Sequence, residues 1–562
     1  MAKNKEQNER MNESFLTRYA THRYRWFALI IIALGLAIVI IDNTILNVSI
    51  PYMLRDLHSS FSDIQWAISG YALTIATILI TVGRIGDLIG RKKMFLIGIV
   101  IFAVGSFIAS ISTESVVLIV GRAGVQAVGA AIMLTSALAL LASEFHGKER
   151  AIAFGLWGAV AGASATVGPL LGGYLTTYFS WRWSLRINVI IAIIAILGSV
   201  FIIESKGEKE KHFDWLGTLL SGGGFFCLVF AFIEGRTYGW LQPNQPFSVL
   251  GFTWPSIGVS VIPFFFGTAL LLLIVFGIHE RNLEKKGSAP LLAVSALRKR
   301  GFLVGIVMLA LLAFGLLSLF LNLPIYMENV LGYDAFSTGI TFLSATLAIF
   351  IMASLTGFLA TKIKIRWIIT TGMIFIVIGI FVLLQSITLT ANDLSLSPGL
   401  ILFGIGFGLS SAQMNNIIIS SAPLKIAGEA SATSITMRQI GSAIGIAVIG
   451  SVLASTLIGN MTTNIHDDPA IPDAAKPTII NDLKNIDIES GQITITNVTS
   501  TPIQQAIKHD IDKALVESTK SAMRTILYFL IPLIFISLLL PSQIKEEMPQ
   551  SNGKTSKNQD KK

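Results

Sequence analysis

Charged side chains inside apolar segments are the residues of this sequence that could do chemistry. Asp42 stands in the apolar run from Trp26 to Ile50, and Arg122 stands in LIVGRAGVQAVGAAIM, from Leu118 to Met133. A lone ionised carboxylate within a bilayer is costly unless it is protonated, paired or hydrated. We therefore predict that Asp42 binds and releases a proton and that Arg122 pairs with its ionised form. The alternative, an acid that merely ends a helix in the outer water, fits less well because the run stays apolar to Ile50.

Three further carboxylates lie near the ends of apolar runs. Glu234, in EGRTYGW, and Glu328, after LPIYM, are candidates for a second acidic or substrate site. For Glu234 we favour solvation at the outer boundary of the membrane, and Glu328 is open between titration and simple exposure. Asp214, in FDWLG, is predicted to cap the start of the helix that follows it.

Long apolar runs must position these side chains. Hydrophobic residues make up 53% of the 562 residues and charged residues 13%, and the mean hydropathy is +0.69. A helix of about 17 to 25 residues spans a bilayer core. Fourteen such runs occur, at 26–47, 64–82, 94–111, 115–142, 151–176, 184–203, 214–234, 257–278, 302–326, 337–360, 366–389, 398–421, 433–457 and 524–541. The sequence predicts an all-α polytopic membrane protein.

The positive charges follow the connections between these runs. The formal net charge is +9, and Lys and Arg concentrate in short alternate connections, as in topology signals and unlike a nucleic-acid-binding surface. We predict a multi-pass protein of the cell membrane with a cytoplasmic leader at 1–25 and a cytoplasmic polar tail at 542–562. The lone Cys227 excludes an intramolecular disulfide, and no metal-ligand spacing or phosphate-binding loop occurs, so we expect neither a metal nor a cofactor.

The connection GRIGDLIGRKK, from Gly83 to Lys93, is predicted to be a tight loop that acts as a conformational latch. Its key residues are Gly83, Asp87, Gly90, Arg91 and Lys92. The stretch resembles the G-x-x-x-D-x-x-G-R-[RK]-[RK] signature of the major facilitator superfamily of transporters. GFLATKIKIR, from Gly357 to Arg366, resembles a degraded second copy.

Other motifs are similar to those of the fourteen-helix drug and proton antiporter branch of that superfamily. IDNTILNVSIP resembles the D-x-T signature around Asp42, and the Arg122 stretch resembles R-x-x-Q-G-x-G-A-A, although Gln126 falls one residue late. The antiporter motif G-x8-G-x3-G-P-x-x-G-G is matched at Gly155, Gly168, Pro169, Gly172 and Gly173, with Ser164 in place of a glycine. WRWSLRIN departs from its family pattern at Arg186. This arginine could anchor the helix at the membrane interface, or it could favour a substrate with an anionic group.

The resemblance implies the domain organisation. Two six-helix bundles, 26–204 and 286–541, would flank two additional helices within 205–285, and substrate would bind between the bundles. Gln126, Gln413, Asn416 and Arg438 are candidates for lining that cavity. The acidic segment 458–523 is an extracytoplasmic insert that could be a small hairpin or cap, with strand-like GQITITNVTS and an amphipathic helix, or a solvated linker.

The function implied is not enzymatic. We expect a monomeric proton-coupled antiporter that exports amphipathic, often cationic, toxic compounds by alternating access, with protons and membrane lipids as its other partners and no nucleic acid. One alternative is export or flipping of an endogenous lipid or lipid-linked molecule, and another is a membrane sensor or scaffold without transport.

Overall fold

The computed structural model describes residues 2–46, 49, 52–53, 56–59, 61–145, 147–205, 214–249, 252–255, 258–286, 291, 294–422, 427–473, 476–477, 479 and 501–540. Within these residues the chain is almost entirely helical, because backbone groups in lipid must be paired within their own segment. The long helices are α1 (Ala2–Ile45), α2 (Phe61–Ile89), α3 (Arg91–Ser110), α4 (Ser115–Glu144), α5 (Gly147–Tyr178), α6 (Trp181–Gly198), α7 (Trp215–Tyr238), α8 (Ile262–Lys285), α9 (Arg300–Asn329), α10 (Ala335–Leu359), α11 (Ile365–Ser386), α12 (Asp393–Ser421), α13 (Ala427–Asp467) and α14 (Thr501–Ser537).

These fourteen helices coincide in order with the fourteen predicted spans. Thirteen contain a described stretch that is long and apolar enough to cross a membrane, and α5, the remaining one, is 32 residues long. Shorter elements are a 3-10 turn at Ser199–Phe201, a one-turn helix at Val294–Leu297 and an antiparallel pair of two-residue strands, β1 (Ser248–Val249) and β2 (Phe252–Thr253). The all-α polytopic class is confirmed.

Two large cores hold the two halves of the molecule. In the first half, Leu36 of α1 and Phe102 of α3 are fully buried, and in the second half Phe314 of α9 and Leu400 of α12 are. The halves meet where α5 packs along α10 and where α2 packs along α13. The boundaries 26–204, 205–285 and 286–541 are not tested by this packing and stay predictions.

The inserted helices α7 and α8 pack beside one another at the edge of the two halves. Phe230 of α7 belongs to a buried cluster that includes Leu73 of α2 and Ile440 of α13. The pair therefore touches both halves at the seam between α2 and α13.

The connection around Gly83 differs from the loop of about ten residues expected from the sequence. Helix α2 continues to Ile89 and α3 begins at Arg91, so Gly90 alone makes the turn, with φ 127° and ψ 133°. This backbone conformation is open essentially only to glycine. The charged residues fit into helices because Asp87 and Arg91 pair with each other across the turn.

The predicted insert 458–523 is a helical extension of two spans over its described residues. Helix α13 runs on to Asp467, and α14 already begins at Thr501. Leu457, Ile465, Ile507 and Leu515 are among the buried residues of one apolar cluster between the two helices. The linker alternative is wrong for these residues, and the strand-like GQITITNVTS lies outside the described residues.

The start of the chain is helical, which the prediction of a polar leader at 1–25 did not specify. Helix α1 begins at Ala2 and continues without interruption through the first span to Ile45. The predicted tail at 542–562 lies outside the described residues.

Candidate functional site

Asp42 is the centre of a buried polar cluster that joins α1, α4 and α6. Its side chain is 0% exposed, and its Oδ2 accepts a hydrogen bond from Nη1 of Arg122 at 2.8 Å. Its Oδ1 accepts from Nε2 of Gln126 at 2.9 Å and from Nδ2 of Asn188 at 2.6 Å. Three side-chain donors, two from α4 and one from α6, therefore converge on the carboxylate.

Arg122 is held from two sides. Its side chain is 1% exposed, and its guanidinium carbon lies 4.6 Å from the centre of the Tyr71 ring of α2. Only Nη1 of Arg122 makes a hydrogen bond to a described residue, while Nε and Nη2 are buried without a partner among those residues. The carboxylate of Asp42 and the ring of Tyr71 thus stabilise the buried Arg122 cation, whose Nε and Nη2 donors have no partner among the described residues.

The helical geometry around Arg122 explains how Gln126 joins the Asp42 cluster although it stands one residue later than the glutamine of the family motif. Val120–Gln126 forms a π-helix within α4, whose wider turn takes one more residue than an α-helical turn. Nη1 of Arg122 lies 3.4 Å from Oε1 of Gln126. Both side chains donate to the carboxylate of Asp42, so they point to the same place. Gln126 belongs to the Asp42 cluster, and its role as a cavity-lining residue stays a prediction.

Ser106 and Asn188 are the members of the cluster that sequence reasoning missed. Ser106 of α3 donates to the carbonyl of Leu185 at 2.9 Å and accepts from Asn188 at 3.0 Å. The signal that could have found Asn188 is its place at the end of the motif WRWSLRIN. Arg186 is partly exposed, and its guanidinium carbon lies 5.4 Å from the centre of the Trp183 ring.

The latch residues form one compact turn. Arg91 donates from Nε and Nη2 to Oδ1 of Asp87 at 2.9 and 2.7 Å, and both side chains are buried. Gly83 is buried within α2. The carboxylate of Glu204 accepts from the backbone nitrogens of Lys92 and Lys93 at 3.0 and 3.2 Å, so it caps α3 from the far end of the first half.

The glycines of the antiporter motif lie at helix contacts on two sides of α5. A Cβ built on Gly172 would lie 2.6 Å from the carbonyl oxygen of Ile45, and one on Gly168 would collide with Thr44, both on α1. A Cβ on Gly155 would lie 2.6 Å from the carbonyl oxygen of Ala353 on α10.

The other two members of that motif differ from these three. Gly173 has no atom within 4 Å of its Cβ position, so it makes no such close contact. The side chain of Pro169 is not among those described, and the bend of α5 stays a prediction.

A narrow cavity lies between the two halves, with room for about one water molecule. Its walls come from α4, α5, α9, α12 and α13. The lining residues are Leu134, Leu138, Trp157, Leu309, Asn415, Ser434, Ile435 and Arg438.

Of the four candidates for cavity lining, only Arg438 therefore reaches this cavity. Nε2 of Gln413 lies 3.5 Å from the carbonyl oxygen of Thr356, and Asn416 donates to Oε1 of Gln413 at 3.1 Å. These two amides connect α12 with α10 and with each other, and Asn415 takes the lining position expected of Asn416.

The remaining carboxylates have different surroundings. Glu234 is 4% exposed, so its prediction as a solvated boundary residue is wrong: α7 turns it toward its neighbours. Glu328 is partly exposed near the end of α9. Asp214 caps α7, as predicted, by accepting from the backbone nitrogen of Gly217 at 2.9 Å, and it also contacts Nε2 of His279 at 3.0 Å.

Comparison with known proteins identifies the family. The family model described as Major Facilitator Superfamily matches residues 32–446. The chain belongs to the major facilitator superfamily. The matched residues contain the Asp42 cluster, the latch and the cavity between the halves.

Relatives in this superfamily cover most of the chain. The chain is 29% identical over 464 residues to the multidrug resistance protein Stp of Mycobacterium tuberculosis, covering 82% of each chain. It is 32% identical to the puromycin resistance protein pur8 of Streptomyces alboniger over 76% of this chain and 82% of that one.

A solved structure supports the fold alone. The human organic anion transporter MFSD10 (TETRAN) has a TM-score of 0.54 at 11% identity, covering 91% of this chain and 99% of that chain. The protein is therefore a multi-pass membrane transporter of small molecules of the major facilitator superfamily and not an enzyme.

Proposed function

We propose that this chain is a proton-coupled exporter of amphipathic toxic compounds in the fourteen-helix antiporter branch, and that Asp42 carries the exchanged proton. The observation that carries the proposal is the buried carboxylate with three converging donors at the meeting point of α1, α4 and α6. A proton on Asp42 would abolish the charge on which these contacts depend. Proton binding thus changes how three helices of the first half are held together.

The cycle that follows is an exchange between two ligands. Asp42 takes up a proton while the transporter faces outward and gives it up in the inward-facing state as substrate binds. Arg122 stabilises the deprotonated carboxylate, while Gln126, Asn188 and Ser106 position it. The energy source is an ion gradient, whose electrical part supplies about 2.3 kcal/mol per charge per 100 mV.

The latch and the motif glycines would serve the conformational change. Gly155 allows α5 to lie against α10, and Gly168 and Gly172 allow it to lie against α1. Helix α5 therefore links the proton-binding helix to the second half. Rocking of one half against the other would open the cavity to alternate sides.

The relatives suggest the substrate class. Proteins named for multidrug and puromycin resistance match across most of the chain, and the tetracenomycin C resistance and export protein of Streptomyces glaucescens also matches. We extend to this chain the export of amphipathic antibiotics. We further propose a monomer in the cell membrane with both termini in the cytoplasm.

Transport in proteoliposomes tests the proposal. Puromycin uptake is measured with and without an imposed acid-inside pH gradient in wild type, Asp42→Asn, Asp42→Glu and Glu328→Gln. We expect gradient-driven uptake in wild type and Glu328→Gln, a loss of at least tenfold in Asp42→Asn, and partial retention in Asp42→Glu.

Two results would contradict this assignment. Gradient-driven uptake that survives in Asp42→Asn would exclude Asp42 as the exchange site and, if Glu328→Gln abolished it, would move the proton to Glu328. Uptake that is indifferent to the pH gradient in wild type would exclude proton coupling.

A further inference from the structure

The cavity between the halves holds an arginine, Arg438, that the proposed proton exchange does not use. Its side chain is partly exposed to the cavity. Within the described part of the chain, no hydrogen bond or ion pair joins Arg438 to another residue. The Asp42 carboxylate is already occupied by Arg122, Gln126 and Asn188. Arg438 is thus a cation without a protein counter-ion in the described structure.

The position of Arg438 is that expected for a substrate site. It lies 11 residues after Ala427, the start of α13, and Trp157 lies 10 residues after Gly147, the start of α5. At 1.5 Å per residue both lie about 15 Å from the starts of their helices, inside the stretches predicted to span the membrane. Residues from both halves line the cavity, so a ligand there would be exposed to either side as the halves rock.

The chemistry of the lining is that of a pocket for an amphipathic anion. Trp157 and Leu309 are among the apolar walls, and Asn415 and Ser434 add polar groups beside Arg438. A guanidinium presents a planar fork of N–H donors that matches a carboxylate or another oxyanion. A charged side chain in a membrane-spanning segment pairs with a counter-charge or faces a water-filled cavity. The ligand that complements this lining has an anionic group and a flat apolar body.

We propose that the transported substrate class includes amphipathic organic anions or zwitterions, with Arg438 binding the anionic group and Trp157 packing against the apolar part. This inference rests on the proposed export function and adds to it a preference for anionic groups, so that cations such as puromycin would bind the same cavity more weakly. It concerns the charge of the substrate and not the coupling ion, so its test needs no pH gradient.

Binding of matched fluorescent probes to the purified full-length protein in detergent tests the inference. The probes are pyrenebutyrate, pyrenebutanol and pyrenebutyl-trimethylammonium, which share one ring system and differ in charge. Binding is followed by energy transfer from tryptophan to pyrene, corrected with empty micelles. The variants are Arg438→Gln and Arg438→Lys, and the matched control is Arg186→Gln, which removes an arginine that lies over Trp183.

We expect wild type to bind the anion at least tenfold more tightly than the cation. A hydrogen bond to a charged group of this kind corresponds to a loss of about ten- to one-hundredfold on removal. Arg438→Gln should therefore lose the anion preference while binding of pyrenebutanol changes little, and Arg438→Lys should keep most of that preference. Arg186→Gln should behave like wild type. Competition by dihexanoyl phosphatidylglycerol would identify a lipid headgroup as a source of the anion, and its absence would leave soluble anions.

Several outcomes would overturn the inference. They are equal binding of anion and cation by wild type, binding of no probe, and an anion preference that survives in Arg438→Gln or disappears in Arg186→Gln. If Arg438→Gln does not fold, the inference is still tested by whether wild type and Arg438→Lys bind the anion more tightly than the cation. Anion binding without gradient-driven transport would instead leave this inference standing and contradict the proposed proton coupling.

Discussion

Asn188 of α6 donates a hydrogen bond from Nδ2 to Oδ1 of Asp42 on α1, over 2.6 Å, and both side chains are fully buried. The same amide nitrogen lies 3.0 Å from Oγ of Ser106 on α3. Asn188 thus positions the carboxylate that we assign to proton exchange, from a helix that carries no other partner of Asp42 among the described residues. We infer this positioning role from the hydrogen bond between Asn188 and Asp42.

Replacing Asn188 with alanine should change the pH dependence of transport. The carboxylate of Asp42 loses one of its three donors, so the contacts that depend on its charge weaken and the pH profile of transport should shift. The measurement is substrate uptake in proteoliposomes between pH 5.5 and 9. Asn322→Ala is the control, because Asn322 is a buried amide of the other half that donates to the carbonyl of Thr519. An identical pH profile in Asn188→Ala and wild type would contradict the positioning role.

Replacing Gly90 with alanine should destabilise the turn between α2 and α3. The backbone conformation at φ 127° disfavours any side chain, and a Cβ there would lie 2.8 Å from Oε1 of Glu204, the group that caps α3. We expect a loss of about 2 to 4 kcal/mol, from backbone strain together with displacement of the cap. Thermal unfolding in detergent measures it.

Gly332→Ala is the matched control for that substitution. Gly332 also has a positive φ, 69°, but nothing lies within 4 Å of its Cβ position. It should therefore show the smaller strain of a left-handed backbone conformation, without a steric contact at the Cβ. Equal destabilisation of the two variants would contradict the prediction, because neither the contact with Glu204 nor the glycine-only conformation of Gly90 would then add to the loss.

The sequence was sufficient for the helices and for the identity of the main charged pair. Runs such as 366–389 are so apolar that no other structure can satisfy their backbone in lipid. Asp42 and Arg122 could be proposed as partners because each lies alone at similar depth in its span. Contacts set by tertiary packing were not accessible in this way.

Gln126 and Glu204 show why the rest could not be predicted. The π-helix at Val120–Gln126 has no reliable local signature, yet it decides which way Gln126 points. Glu204 caps a helix more than a hundred residues earlier in the chain, so its role depends on how α6 packs back on α3. Glu234 was misjudged for a related reason, since a residue at the end of an apolar run can still be covered by neighbouring helices.

Replacing Gly172 with alanine should disturb the contact between α1 and α5. The added Cβ would lie 2.6 Å from the carbonyl oxygen of Ile45, part of the helix that carries Asp42. Overpacking of this kind costs about 1 to 3 kcal/mol. We expect a lower unfolding temperature in detergent and slower transport. Gly173→Ala is the neighbouring control, because its Cβ meets nothing within 4 Å, and a loss as large in this control would show that the helix contact is not the cause.

Replacing Ile507 with aspartate should open the extension of α13 and α14 without abolishing transport. Ile507 is 0% exposed in a cluster with Leu457 and Ile465, and a buried unpaired carboxylate there costs several kcal/mol. Proteolysis of intact cells should then cut within 458–523 faster than in wild type, and Lys508→Ala, which changes an exposed neighbour, should not. Because the extension does not contribute to the Asp42 cluster or to the cavity lining, uptake by the uncut variant should stay within about twofold of wild type. Unchanged protease resistance would contradict the packing of the extension, and a complete loss of uptake in a folded variant would show that the extension takes part in transport.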